Sequence, residues 1–168
     1  SGADEVIVSF LDKLEADEDF FAYYGVDEEE ALSLAKERAE SYLREAIVTM
    51  RRHVDLDFTL SLQADGNFQE PITDDEADVL TEIMVLKYYE RLQAKLKPKL
   101  NAFAASELKL LHSPANERTS YMEMLSSCRE HVREVMSWYE SRNRVTGARK
   151  LVDHTIPEME EFYEPARA

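Results

Sequence analysis

Thr73 and Glu76 stand three residues apart just before an apolar helical repeat, and Ser113-Pro114 precedes a second one. These two starts fix the frame of the whole stretch from Gly66 to Tyr139. In the first, the Thr73 hydroxyl accepts the Glu76 amide while the Glu76 carboxylate reaches back to the Thr73 amide, a capping box. In the second, the serine hydroxyl caps the turn and the fixed φ of proline suits the first helical position. Two long helices are therefore expected, one beginning at Thr73 and one at Ser113.

Three further elements follow from periodicity. Val6, Ile7, Phe10, Leu11 and Leu14 recur at three-to-four spacing and predict a short amphipathic helix before the acidic run Glu15 to Asp19. Asp27 and Glu30 form a second capping box, followed by the stripe Ala31, Ala35, Ala39, Tyr42, Ala46 and Met50, so that a helix should reach about Arg52. Leu56, Phe58, Leu60 and Leu62 then alternate with polar residues ahead of Asp65-Gly66, which predicts a small β-hairpin at about 55–70 whose return arm is cut short by Pro71. The helix after Thr73 carries Ala77, Leu80, Ile83, Met84, Leu86, Tyr88 and Leu92 and is expected to stop near Lys97, because Pro98 disfavours helical geometry in its predecessor. The last helix carries Met122, Leu125, Val132, Met136 and Tyr139, with Gly147 as its latest end. The fold class read from this pattern is all-α: a bundle of about four helices over residues 1–150, with the hairpin inserted and an extended C-terminal tail over 151–168.

A length of 168 residues suits one core without disulfides or metals, and the single Cys128 reads as a reduced, near-core thiol. No apolar run approaches a membrane span and the first residues lack a basic leader, so a soluble protein with no membrane contact is expected. The net charge of −15 argues against a free DNA-binding domain. That charge is uneven. Residues 1–30 hold eleven acids against Lys13 alone, whereas Lys87, Arg91, Lys95, Lys97 and Lys99 form a basic segment broken only by Glu90.

The residue patterns of catalysis do not assemble. The four glycines never share a short loop, which removes phosphate-cradling motifs and the nucleophile elbow. None of His53, His112, His131 and His154 has an acid three residues earlier, and Cys128 with His131 supplies only two metal ligands. Asp27 to Glu30 read more simply as a solvated acidic face than as an acid/base pair. No catalytic residue, metal or cofactor is assigned, and no enzyme is expected.

The stretch Asp65-Gly66-Asn67-Phe68, then Leu80 to Leu96 with Ile83-Met84-Val85-Leu86 and Tyr88-Tyr89, then Glu107-Leu108-Lys109-Leu110 and Ser113-Pro114-Ala115-Asn116 before Met122 to Tyr139, resembles the head–tail connector (adaptor, neck) proteins of tailed bacteriophages. The resemblance covers roughly half of the chain and is architectural. Tyr88-Tyr89 stand where the family pattern has a tryptophan, and the tail after Gly147 has no counterpart in it. The resemblance implies a structural subunit of a ring, usually a dodecamer, in the neck of the virion and assembled in the host cytoplasm. It implies as partners the portal protein, a tail or head-closure protein, and genomic DNA that passes without sequence-specific binding.

Three sets of residues are the expected contacts of such a subunit. Lys87, Arg91 and Lys95 share one helix face and suit carboxylates of a neighbour, either Asp27, Glu28, Glu29 and Glu30 or the run Glu15 to Asp19. The same stripe equally suits a solvated face paired within its own helix. Phe58, Leu60, Leu62 and Phe68 form an apolar set on the hairpin, for an interface or for the domain's own core. Ile156, Met159, Phe162 and Tyr163 lie among acids in the tail and suit a docking arm that orders on binding, or an end that stays unordered. A cytosolic helical adaptor binding another protein through Lys87 to Lys99 is the alternative, and a helical metalloenzyme is a third class whose metal the sequence does not visibly ligate.

Overall fold

A computed structural model describes residues 2–14, 25–103 and 114–151, and the side chains of these apart from 96–103 and 114–120. Four helices form among the described residues: α1 (Ala3–Lys13), α2 (Glu28–His53), α3 (Asp74–Phe103) and α4 (Pro114–Glu140). Helix α3 is the centre of the molecule. It packs against each of the other three, α1 also packs on α2, and α4 rests chiefly on α3. A helix enclosed on several sides must be apolar on several sides. Hence Val79, Leu80, Ile83, Met84, Leu86 and Tyr88 are all buried although they do not form one narrow stripe.

Tyr42 of α2 ties the core together. Its ring lies 5.7 Å from Phe10 of α1 and meets Tyr88 of α3 edge to face at 6.1 Å. Aromatic pairs of this geometry add about 0.5–1.5 kcal/mol beyond the area they bury. The small residues Ala35, Ala39 and Ala46, each fully buried, let the neighbouring helices come close to α2.

The capping box at Thr73 forms as its spacing predicts. The Thr73 amide donates to Glu76 Oε2 at 2.7 Å, and the Glu76 amide donates to Thr73 Oγ1 at 3.3 Å. At α2 the Asp27 carboxylate accepts the Glu30 amide at 2.8 Å, and the helix runs to His53, one residue past the expected end. The cap expected at Ser113 lies outside the described residues, whereas Pro114 is the first residue of α4.

Two expectations need correction. Helix α3 does not stop near Lys97 but continues through Pro98 to Phe103. Proline removes the amide that would reach the Ala94 carbonyl; Ala94 is exposed, so water can satisfy that oxygen. Helix α4 ends at Glu140, within the limit set at Gly147, and the Asn143 carboxamide oxygen then captures the amides of Val145 and Thr146 at 2.9 and 3.0 Å and turns the chain.

The hairpin is the second correction, since no strand forms among the described residues. Asp65-Gly66 makes the predicted turn, with Gly66 at φ 83°. The Asn67 amides donate to the Asp65 carboxylate, lowering its pKa below the ordinary carboxylate value. The pairing beyond this turn is one isolated antiparallel bridge, Leu62 with Phe68. It stops there because the Thr59 amide bonds the Glu70 carboxylate rather than a backbone carbonyl, and because Pro71 has no amide to give. The apolar set does not project: Leu60 is buried, and Phe58, Leu62 and Phe68 are half-buried against the same core as the helices.

Candidate functional site

The strongest polar constellation is built on Glu76, at the N-terminal turn of α3. Its place in sequence is unusual for an acid, because Glu76, Val79, Leu80 and Ile83 share the inward face of the helix. The carboxylate is 0% exposed. Oε1 accepts from the Tyr139 hydroxyl at 2.7 Å and from Arg144 Nε at 2.5 Å, while Oε2 accepts from the Thr73 amide at 2.7 Å and from Arg144 Nη2 at 3.3 Å. Arg144 Nη2 also donates to the Pro71 carbonyl at 2.6 Å, and its guanidinium lies 3.9 Å over the Phe58 ring. One side chain thus fastens the segment after α4, the turn before α3 and the loop after α2.

The electrostatics follow from this enclosure. Burial pushes the Tyr139 hydroxyl far above its ordinary pKa, and the adjacent Glu76 carboxylate pushes it further. The hydrogen bond to Glu76 also holds the Arg144 guanidinium more firmly charged. A carboxylate offers about four lone-pair sites, and all four are taken here. Glu76 is therefore arranged to hold three segments together and has no site free to take a proton from a substrate.

Sequence reading assigned Glu76 to a cap and Tyr139 to an apolar stripe, and missed Arg144 as their partner. The signal was an acid at a core-facing position, which needs a buried cation or hydrogen-bond donor from elsewhere.

The expected contact residues are placed as follows. Arg91 is ion-paired with Glu45 of α2 and stacks 4.4 Å over the Tyr42 ring. Lys87 lies 3.7 Å from Glu90 within α3. Lys95 is exposed and has no ion pair among the described residues. Glu28, Glu29 and Glu30 are exposed on the first turn of α2, beside the capping Asp27. Ile156, Met159, Phe162 and Tyr163 lie outside the described residues, as do Glu15 to Asp19.

Between α1 and α3, Glu82 bonds Lys13 and lies 3.4 Å from His131 of α4. Cys128, one turn before His131, has its thiol pKa raised by burial and by the carboxylates of Glu82 and Glu90. Among the described residues no three His, Cys, Asp or Glu side chains converge as metal ligands do, and no helix is long and apolar enough to cross a membrane. A cavity of about 290 Å³ opens between α1 and α2, with Ile7 and Val8 on one side and Lys36, Glu37 and Glu40 on the other.

Compared with family models, with curated proteins and with solved structures, the chain shows no match. Its architecture among the described residues is all-α.

Proposed function

We propose that the chain is a structural subunit of the neck of a tailed bacteriophage, a head–tail connector that assembles as a ring, docks on the portal and joins it to the tail. The observation that carries this reading is the order of elements from residue 65 onward. The Asp65-Gly66 turn, the capped thirty-residue α3, a short connector and the proline-initiated α4 follow one another as in the connector pattern. The Glu76 clasp supports it further, because it stiffens one end of the bundle without offering a reactive group. Activity in this reading is docking and sealing in the virion neck, after assembly in the host cytoplasm. DNA passes through the ring without sequence-specific contact, and the acidic excess of the chain keeps phosphates from gripping the wall.

Mixing the purified chain with portal rings of the same phage tests this reading. Co-sedimentation of the chain with the portal, in a fixed ratio set by the ring, is the expected result. A chain that stays at its monomer mass of 19.4 kDa in the presence of portal overturns it.

A second reading has its own observation. Helix α4 rests chiefly on α3, so that Met122, Met124 and Trp138 remain exposed along it. Such a flank suits a helical adaptor that receives a partner protein in the cytosol. That partner would bind at micromolar concentration with no portal present, whereas the neck subunit requires the portal.

A further inference from the structure

The segment that follows α4, residues 141–151, carries Arg142, Arg144, Arg149 and Lys150 and no acid, in a chain whose net charge is −15. It is a built turn. Arg142 and Arg149 form an antiparallel bridge, the Asn143 amide donates to the Ala148 carbonyl at 2.7 Å, and the Lys150 amide donates to the Ser141 carbonyl at 2.7 Å. Gly147 turns at φ 66°, and Arg144 anchors the base through Glu76 and Pro71. Arg142 stacks 4.6 Å over Trp138 and leaves its buried Nε without a partner. At the tip Val145 is 87% exposed. Arg149 and Lys150 are exposed and form no ion pair among the described residues. A hydrogen-bonded loop that presents two exposed cations, unpaired among the described residues, beside an exposed valine is shaped for an acidic surface with some apolar area.

The matching surface is on the same chain but out of reach. Asp27, Glu28, Glu29 and Glu30 crowd the first turn of α2, and Glu28, Glu29 and Glu30 have no ion pair among the described residues. The Asp55 amide bonds Glu140 Oε1, so the C-terminal end of α2 lies beside the C-terminal end of α4 and the 141–151 turn. The acidic turn is at the other end of α2. Helix α2 carries the acids in its first turn and is twenty-six residues long, about 39 Å from end to end at 1.5 Å per residue. One molecule cannot close that contact on itself, whereas two molecules can.

We infer that the 141–151 turn docks on the acidic first turn of α2 of a second copy of this chain, Arg149 and Lys150 facing Glu28, Glu29 and Glu30. This deepens the ring reading, on which it rests for its biological setting, by naming the two faces that meet. The contact is heterologous, each copy giving one end and receiving the other, the kind of contact that forms a ring when the rotation between copies closes. It also shifts the cationic partner away from Lys87 and Arg91, both of which are bonded within their own molecule.

An equal mixture of unlabelled and 15N-labelled full-length chain, treated with a carbodiimide that joins amines to carboxylates in contact, tests the inference. The expected product is a mixed-isotope peptide pair linking Lys150 to Glu28, Glu29 or Glu30, formed at low salt and lost at high salt, as exposed charges are screened. Separately, R149E/K150E and E28K/E29K/E30K should each weaken self-association about tenfold or more, and mixing the two variants should restore pairing between them. Absence of the mixed-isotope link both in the free chain at low salt and in the chain bound to portal rings, or a mixture that does not regain association, overturns the inference. Failure here is distinct from failure of the neck reading: a ring on the portal without the Lys150 link removes only this interface. A Lys150-linked oligomer indifferent to portals removes only the neck.

Discussion

The Tyr139 hydroxyl donates to Glu76 Oε1 at 2.7 Å across 63 positions of sequence, joining the last turn of α4 to the first turn of α3. Arg144 completes the charge balance, with its guanidinium on both carboxylate oxygens. Since Glu76 is fully buried, the two donors stabilise the molecule unequally. Tyr139→Phe leaves the arginine in place and should cost about 1–2 kcal/mol. Arg144→Ala leaves a buried carboxylate uncompensated and should cost about 3 kcal/mol or more. Urea unfolding of the two variants measures the order, and the double variant Glu76→Gln with Arg144→Met should lose less than the sum of its parts.

Alkaline pH should act through the same tyrosine. Its pKa in the folded chain is raised, by burial first and by Glu76 next, above the value of about 10 that it has when unfolded. The unfolded chain then releases the proton before the folded one does. Its contribution to stability is therefore complete below about pH 10 and is lost as pH rises towards the folded value. Unfolding midpoints followed upward from pH 9 should fall more steeply in the wild type than in Tyr139→Phe.

Cys128 should be a slow nucleophile. Its thiol is pushed up by burial and by the negative charges of Glu82 and Glu90, so the thiolate is scarce near neutrality. Alkylation of the folded chain at pH 8 should be several-fold slower than alkylation of the same chain in denaturant. Equal rates would contradict the burial and the charge environment described.

Arg91 should be worth more as a cover for Tyr42 than as an ion. It bonds Glu45 at the surface, where both side chains are more than a third exposed, and such pairs contribute at most about 1 kcal/mol. The stack over Tyr42 adds packing that Glu45→Gln does not disturb. Arg91→Ala should therefore destabilise more than Glu45→Gln, as thermal unfolding would read directly.

Local chemistry in the sequence carried most of the helical frame. Thr73 with Glu76, Asp27 with Glu30, and Pro114 each mark a start that the structure places within a residue, because a cap depends on neighbours three residues away. What depends on distant contacts was less legible. Alternation from Leu56 to Leu62 suggested two strands, yet Leu60 packs into the helical core and Glu70 takes the amide that a ladder would need. Pro98 was read as a stop, although one lost bond on an exposed face does not outweigh the helix on either side of it. The cationic stripe on α3 was visible, but its partner Glu45 belongs to another helix, and only the packing of α2 against α3 reveals it. Arg144 escaped for the same reason, since nothing near it in sequence indicates a buried acid.

Electron cryo-microscopy of the chain bound to its portal tests the neck assignment most directly. The account predicts a closed ring of this chain on the portal, with the 141–151 turn of each copy against the first turn of α2 of the next. A portal with no added density, or with single copies scattered on its surface and no contact between them, would contradict it.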